Sequence, residues 1–342
     1  MKAHINVAAL NMRGFGNPSL FHRDNKWKYI LAMLRDKRIG ILILEETHLN
    51  PERIEEINKH YERVMKVFGS SDPTNPTGRG GVAVVVNKQL VALEGVKTFE
   101  IVQGRALMVQ LVMHKGDKIN ILAVYAPNVS GNDGSANAQL WRDIQHWLES
   151  KPHAPRPNVL MGDFNMVESG AVDRLPAHDD PEEAVDALDD LKMYLQLKDG
   201  WRTTFPDKKG FTFLQDATGS QSRIDRIYVT DGILETAREW NIRTSGVPNA
   251  DHDLISVQIT SENAPFTAKG RWRIPEYVVK DRGFLDHARE QGIIAKKELE
   301  ELNMERSPGK NPQQIWNTYK QKIIQKARDR AREIVPGLVR KI

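Results

Sequence analysis

Eight short runs of near-continuous Val, Ile and Leu set the first limit on how this chain can fold. They are INVAALNM (5–12), IGILILEE (39–46), GVAVVV (81–86), ALMVQLVM (106–113), KINILAVYA (118–126), NVLMGDF (158–164), RIDRIYV (223–229) and LISVQIT (254–260). Their length and β-branching favour strands over pieces of helix. Strands this continuously apolar belong in sheets covered by other layers. Helical patterns lie between them at 25–37, 51–61, 139–150 and 181–197, the second opened by Asn50 as N-cap and Pro51 at the first helical position. The mixture predicts an α/β layered domain. No stretch approaches the ~18 uninterrupted apolar residues of a membrane span.

The domain is expected to close after LISVQIT, giving boundaries of 1–260. SENAPFTAKGRWRIP (261–275) reads as a linker, and 276–342 as a basic helical extension. Within that extension Ile315, Tyr319, Ile323, Ala327, Ala331 and Ile334 recur at helical spacing between basic residues. Charge divides along the same line: residues 1–266 hold 31 Lys+Arg against 35 Asp+Glu, and residues 267–342 hold 18 against 10. An acidic body argues against phosphate binding by bulk charge, so such a site must be local or assisted by a metal. With no cysteine there is no disulfide framework, thiolate zinc site or cysteine nucleophile. The opening MKAHINVAAL runs too directly into a strand to be a secretory signal, so an intracellular protein is expected.

Polar residues gather where the apolar runs stop. Asn11 follows INVAAL; Glu45 and Glu46 follow ILIL; Tyr125 and Asn128 close NILAVYAPN; Asp163 and Asn165 close NVLMGDFN. Asp225 opens a strand in SRIDRIYV, and Asp251 and His252 stand just before LISVQIT. In α/β sheets ligands collect at such ends, where loops converge. One such corner is a turn; six read as a site. The set suits attack of water on a phosphate ester. A glutamate with a helper amide fits Mg2+, which takes few carboxylates and keeps several waters. A His with an Asp partner makes a proton-handling group of fixed tautomer. Amide and phenol donors can stabilise charge on phosphoryl oxygens.

In order and spacing, LNMRG, LEETHL, YAPN, GDFN, SRIDRIYV and ADHD resemble the endonuclease/exonuclease/phosphatase superfamily, over roughly residues 4–260. In detail they resemble the endonuclease domain of LINE-type non-LTR retrotransposons, relatives of abasic-site DNA endonucleases. The resemblance implies a four-layered α/β sandwich with its site at one edge. It implies Glu46 and Asn11 at a divalent ion (Mg2+, with Mn2+ as the alternative), assisted by Asp251. It places Tyr125 and Asn128 on the scissile phosphate, Asp163 and Asn165 on the attacking water, Asp225 behind the catalytic His252, and Arg223 and Thr212 on the substrate side. Glu45 is expected to face away from the site.

Two positions depart from the pattern: Arg13 stands where abasic-site endonucleases carry an acid, and Ala250 where a serine commonly precedes the Asp-His pair. The segment from GRWRIPEYVVKD onward resembles the stretch leading to a reverse transcriptase in LINE polyproteins. The LDD at Leu188–Asp190 reads instead as part of a solvated acidic helix, and TGRGG (77–81) as a turn rather than a phosphate cradle. The expectation is a monomeric Mg2+-dependent nuclease nicking double-stranded DNA in the nucleus, with element RNA as a partner of the basic helix. Abasic-site repair, a phosphatase activity and an inactive nucleic-acid-binding remnant are the alternatives.

Overall fold

The computed structural model describes every residue except 1, 20–21, 130–132, 262, 267–272, 305–310 and 340–342. Residues 262 and 267–272 of the expected linker therefore lie outside the description. The strands, in chain order, are β1 (Ile5–Asn11), β2 (Ile39–Glu45), β3 (Met65–Ser70), β4 (Val82–Asn87), β5 (Lys97–Val102), β6 (Ala106–Val112), β7 (Lys118–Tyr125), β8 (Val159–Asp163), β9 (Arg174–Leu175), β10 (Leu197–Asp199), β11 (Phe213–Gln215), β12 (Ser220–Ser222), β13 (Asp225–Thr230), β14 (Arg238–Arg243) and β15 (Leu254–Ile259). They form two mixed six-stranded sheets, ordered β14-β15-β1-β2-β4-β3 and β10-β13-β8-β7-β6-β5, and a small sheet β11-β12-β9.

Strand alternation sorts the apolar side chains into layers. Val7, Ala9, Ile41, Ile43, Val84, Val109, Ile121, Met161, Ile227 and Val257 meet between the two sheets. Their neighbours Ala8, Leu10, Leu42 and Leu44 turn outward under α1 (Lys26–Asp36) and α2 (Pro51–His60). On the other sheet Leu122, Val124 and Leu160 lie under α3 (Ser135–Ser150) and α5 (Glu182–Leu195), while the short helices α4 (Gly170–Asp173), α6 (Gly200–Thr204) and α7 (Asp231–Leu234) fall between strands. The result is helix, sheet, sheet, helix: the four-layered sandwich.

Each sheet juxtaposes a parallel pair at its centre, β1 with β2 and β7 with β8. The ends of those pairs carry the polar residues noted in the sequence. All four edge strands escaped the sequence reading: β3, β5, β10 and β14. They carry charge on exposed faces, as in KTFEIV and REWNIR, which lowers their apolar signal and blunts sheet edges. α3 begins at Ser135, one turn before the expected 139.

Contacts separate the chain into a unit spanning 1–266 and a unit spanning 267–342. The second consists of α8 (Glu276–Val279), α9 (Arg282–Met304) and α10 (Pro312–Val339). Val278, Phe284 and Ala327 are buried together there, with Ile274, Ile323 and Ala331 packed against them, and Arg330 pairs with Asp281 at 2.6 Å. No helix among the described residues is long and apolar enough to cross a membrane.

Candidate active site

Register alone begins the assembly of the pocket. Asn11 stands beside Glu45 in the β1–β2 pair, Tyr125 beside Asp163 in β7–β8, and Asp225 opposite Asp163 in β13–β8. Residues paired in this way share a face of their sheet. β15 runs antiparallel to β1, bringing His252, two residues ahead of it, to the same end, where it also bridges to Phe213.

Side chains then close the site across the two sheets. Asn11 Nδ2 donates to Asp163 Oδ2 at 2.9 Å, a bond spanning 152 residues of sequence. The other Asp163 oxygen accepts the Asn165 backbone N–H at 2.9 Å. His252 Nδ1 lies 2.8 Å from Asp225 Oδ2, and both side chains are buried. Asn165 takes a left-handed backbone (φ 52°) while its side chain donates to the Ala126 carbonyl. Gly162 meets a steric demand: a Cβ there would fall 2.1 Å from the Val124 carbonyl oxygen and 2.9 Å from Glu45 Oε1.

The pocket is rich in acid. Asp163 is pushed up to about 7, first by burial and then by the Asp225 charge. Burial alone would lower the His252 imidazole, but the charge and hydrogen bond of Asp225, with Asp163 and Asp251 behind them, push it up to about 10. Burial, then Glu46 and Asp163, raise the Tyr125 phenol.

Glu45 does not face away. It shares the inter-sheet parity of Ile41 and Ile43, is fully buried, and its carboxyl is raised by burial and by the charges of Asp225 and Asp163. The strand ends at Glu45, and Glu46 turns into a left-handed conformation (φ 51°), so strand parity does not carry from one to the other. Glu46 is half-buried at the rim, where its charge acts on Tyr125, His48 and Lys26.

Three expected residues sit differently from their assigned roles. Arg223 is 1 % exposed and ion-paired with Asp173 at 2.7 Å and Asp199 at 2.8 Å, so its guanidinium is bound up inside the protein and not presented to substrate. Thr212 is buried behind Asp225, its hydroxyl accepting the backbone N–H groups of Ile224 (3.2 Å) and Asp225 (3.1 Å) and so holding the start of β13 in place. Asp251 pairs with Arg13 at 3.3 Å. Asn128 is exposed, three residues past β7. No pattern in the chain pointed to Arg105, whose guanidinium lies 4.8 Å from the Tyr125 ring centre and donates to the Tyr125 carbonyl at 3.3 Å.

The donor set fits a cation. Among the described residues Asp163, Asp225 and His252 each place one donor atom within 4.8 Å of the others. Both Glu45 carboxyl oxygens and Asp225 Oδ1 are buried without a hydrogen-bond partner. Carboxylate and amide oxygens with one imidazole and no thiolate suit a hard divalent ion.

A sandwich of two mixed sheets with an acid- and histidine-lined pocket at one end defines a class of hydrolases acting on phosphate esters. The profile of the Endonuclease/Exonuclease/phosphatase family matches residues 8–261, and the chain belongs to that family. It is 26% identical over 289 residues to the "Transposon TX1 uncharacterized 149 kDa protein" of Xenopus laevis, a match covering 84% of this chain and 20% of that protein. The chain thus spans about a fifth of that relative's length. An AP endonuclease from Leishmania major superposes with TM-score 0.59 at 13% identity, over 75% of this chain and 88% of that one. The endonuclease domain of TRAS1, a telomere-specific non-LTR retrotransposon, gives 0.52 at 16% identity, over 75% and 99%.

Proposed function

We propose that the chain is a divalent-metal-dependent DNA endonuclease of retrotransposon type, cutting one strand of a duplex to leave a 3′-hydroxyl and a 5′-phosphate. One observation carries the reading: side chains from distant strand ends converge through the Asn11–Asp163 and His252–Asp225 hydrogen bonds, with Asp163 and Asp225 directly paired. The likeness to a transposon protein supports the biological setting, in which the free 3′ end would prime reverse transcription.

Glu46 and Asn11 are the residues that would hold Mg2+, with Mn2+ as a substitute. The ion, when bound, polarises a phosphoryl oxygen and offsets its charge. Tyr125 and Asn128 would contact the scissile phosphate, the phenol kept protonated by its surroundings and therefore a donor. Asp163 and Asn165 would orient the water for in-line attack. His252, fixed through Nδ1 by Asp225, handles the proton at Nε2. The basic extension would meet nucleic acid, the element's RNA included.

The test is relaxation of supercoiled plasmid with Mg2+ and with chelator, followed by mapping of the ends. Nicking by the wild type is expected to fall by ~10²–10⁴-fold in His252→Ala, and Glu46→Gln is expected to need far more Mg2+. Wild-type rates in both variants would refute the role assignment. Cleavage confined to abasic duplexes would move the chain to repair, and phosphate release without DNA cleavage would make it a phosphatase.

A further inference from the structure

Five carboxyl groups gather at this end of the sheets: Glu45, Asp163 and Asp225 are buried beneath it, and Glu46 and Asp251 are partly exposed. The cations nearby are committed to different degrees. Lys26 is buried, its ammonium donating to the carbonyls of Met12 (2.5 Å) and Arg13 (2.8 Å). Arg105 lies against Tyr125. Arg13 is the exception: its side chain is 57 % exposed, and its guanidinium is held by a single ion pair, to Asp251.

The backbone that presents Arg13 is fixed from several sides. Its N–H donates to Asn11 Oδ1 at 2.9 Å, its carbonyl accepts Lys26, and the next N–H, that of Gly14, donates to the Glu46 carbonyl at 2.7 Å. These contacts hold a residue with a Cβ in the left-handed region (φ 49°), a conformation that persists only when its surroundings over-determine it. A guanidinium carries five N–H donors in a planar fork that matches phosphate oxygens. One ion pair at 3.3 Å leaves most of that fork facing water at the rim.

We propose that Arg13 binds a phosphate of the nucleic-acid backbone at the edge of the pocket, with Asp251 as the tether that aims it. The assignment rests on the nuclease reading and names a substrate-binding residue for it. It also gives Asp251 a role other than ion ligand: the carboxylate is occupied in orienting the arginine.

The test measures binding of a fluorescein-labelled DNA duplex by anisotropy in EDTA over a series of KCl concentrations. The proteins are wild type, Arg13→Ala, Arg13→Lys, Asp251→Asn and the double variant Arg13→Ala/Asp251→Asn, each checked by a thermal melt. Loss of one phosphate contact is expected to weaken binding about tenfold at low salt and to reduce the slope of log K against log[salt] by about one. Arg13→Lys is expected to keep the slope. The same slope difference is expected between Asp251→Asn and the double variant, because the amide oxygen introduced by Asp251→Asn still accepts from the guanidinium and keeps it aimed. If Arg13 only neutralises Asp251, that second difference vanishes and the assignment is overturned. An Arg13→Ala slope equal to wild type overturns it as well, and Arg13→Gln replaces the alanine variant should the latter not fold. The nuclease reading is judged separately on the same wild-type preparation: binding in EDTA without nicking in Mg2+ removes that reading, while the slopes still decide Arg13.

Discussion

Two clusters of buried polar groups lie a few residues apart on β13 and behave in opposite ways. In the first, Asp173 accepts from Arg202, from Arg223 at 2.7 Å and from Arg226 at 3.0 Å. Arg226 reaches Glu168 at 2.9 Å, Arg223 reaches Asp199 at 2.8 Å, and Lys192 closes on Glu168 at 2.6 Å. Every carboxylate faces a cation. Burial would raise Asp173 and Glu168, yet the surrounding arginines and Lys192 hold both down to about 2. In the second cluster Glu45, Asp163 and Asp225 outnumber their cations, and Glu45 and Asp163 are pushed up. Charge balance marks the first as scaffold. Imbalance, with orphaned carboxyl oxygens, marks the second as a place completed by something from outside.

Substitutions can break this contrast. The largest effect is expected from Asp173→Ala, which strands Arg223 and Arg226 in the interior; removing one partner of a buried pair costs about 3–5 kcal/mol. A urea midpoint close to wild type would mean that the cluster is not structural. Next comes acid. Because the folded-state pKa values of Asp173 and Glu168 are depressed, their stabilisation is present above the usual carboxylate range and is lost as pH falls from about 4 towards 2. Each contributes on the order of 2 kcal/mol. Urea midpoints that stay flat across that window would contradict the balance described. The smallest effect has the opposite sign. Asp163→Asn removes a carboxyl whose folded pKa is raised, so wild type loses stability relative to the variant as pH rises from about 4 to about 7. The variant is expected to be more stable than wild type at neutral pH by ~1 kcal/mol while losing activity, a trade typical of functional sites. A variant less stable at pH 7 than at pH 4, relative to wild type, would sink that expectation.

The sequence was legible where burial is symmetric. All eight apolar runs are the inner four strands of the two sheets, and both faces of an inner strand must be apolar. The edge strands were invisible because one side meets water and carries Lys97, Glu100, Arg238 or Glu239. The same logic governs the pocket. Asn11, Tyr125, Asp163, Asp225 and His252 stood out because each interrupts or adjoins an apolar run. Glu45 was misjudged because its direction depends on the residue where β2 stops, which a left-handed Glu46 decides. The burial of Arg223 went unread because its partner Asp173 lies 50 residues earlier, at the end of the four-residue helix Gly170–Asp173, too short to show a period. Ion pairs between distant segments leave no periodicity to read.

The most direct test of the contrast is a thermal melt of wild type and Glu46→Gln, with Mg2+ and with EDTA. A ligand that binds only the folded state raises the melting temperature in proportion to its occupancy. Wild type is expected to melt higher in Mg2+, and Glu46→Gln to show little or no shift at the same concentration. Identical shifts in both proteins, or none in wild type, would contradict an acid-rich pocket built around a divalent ion.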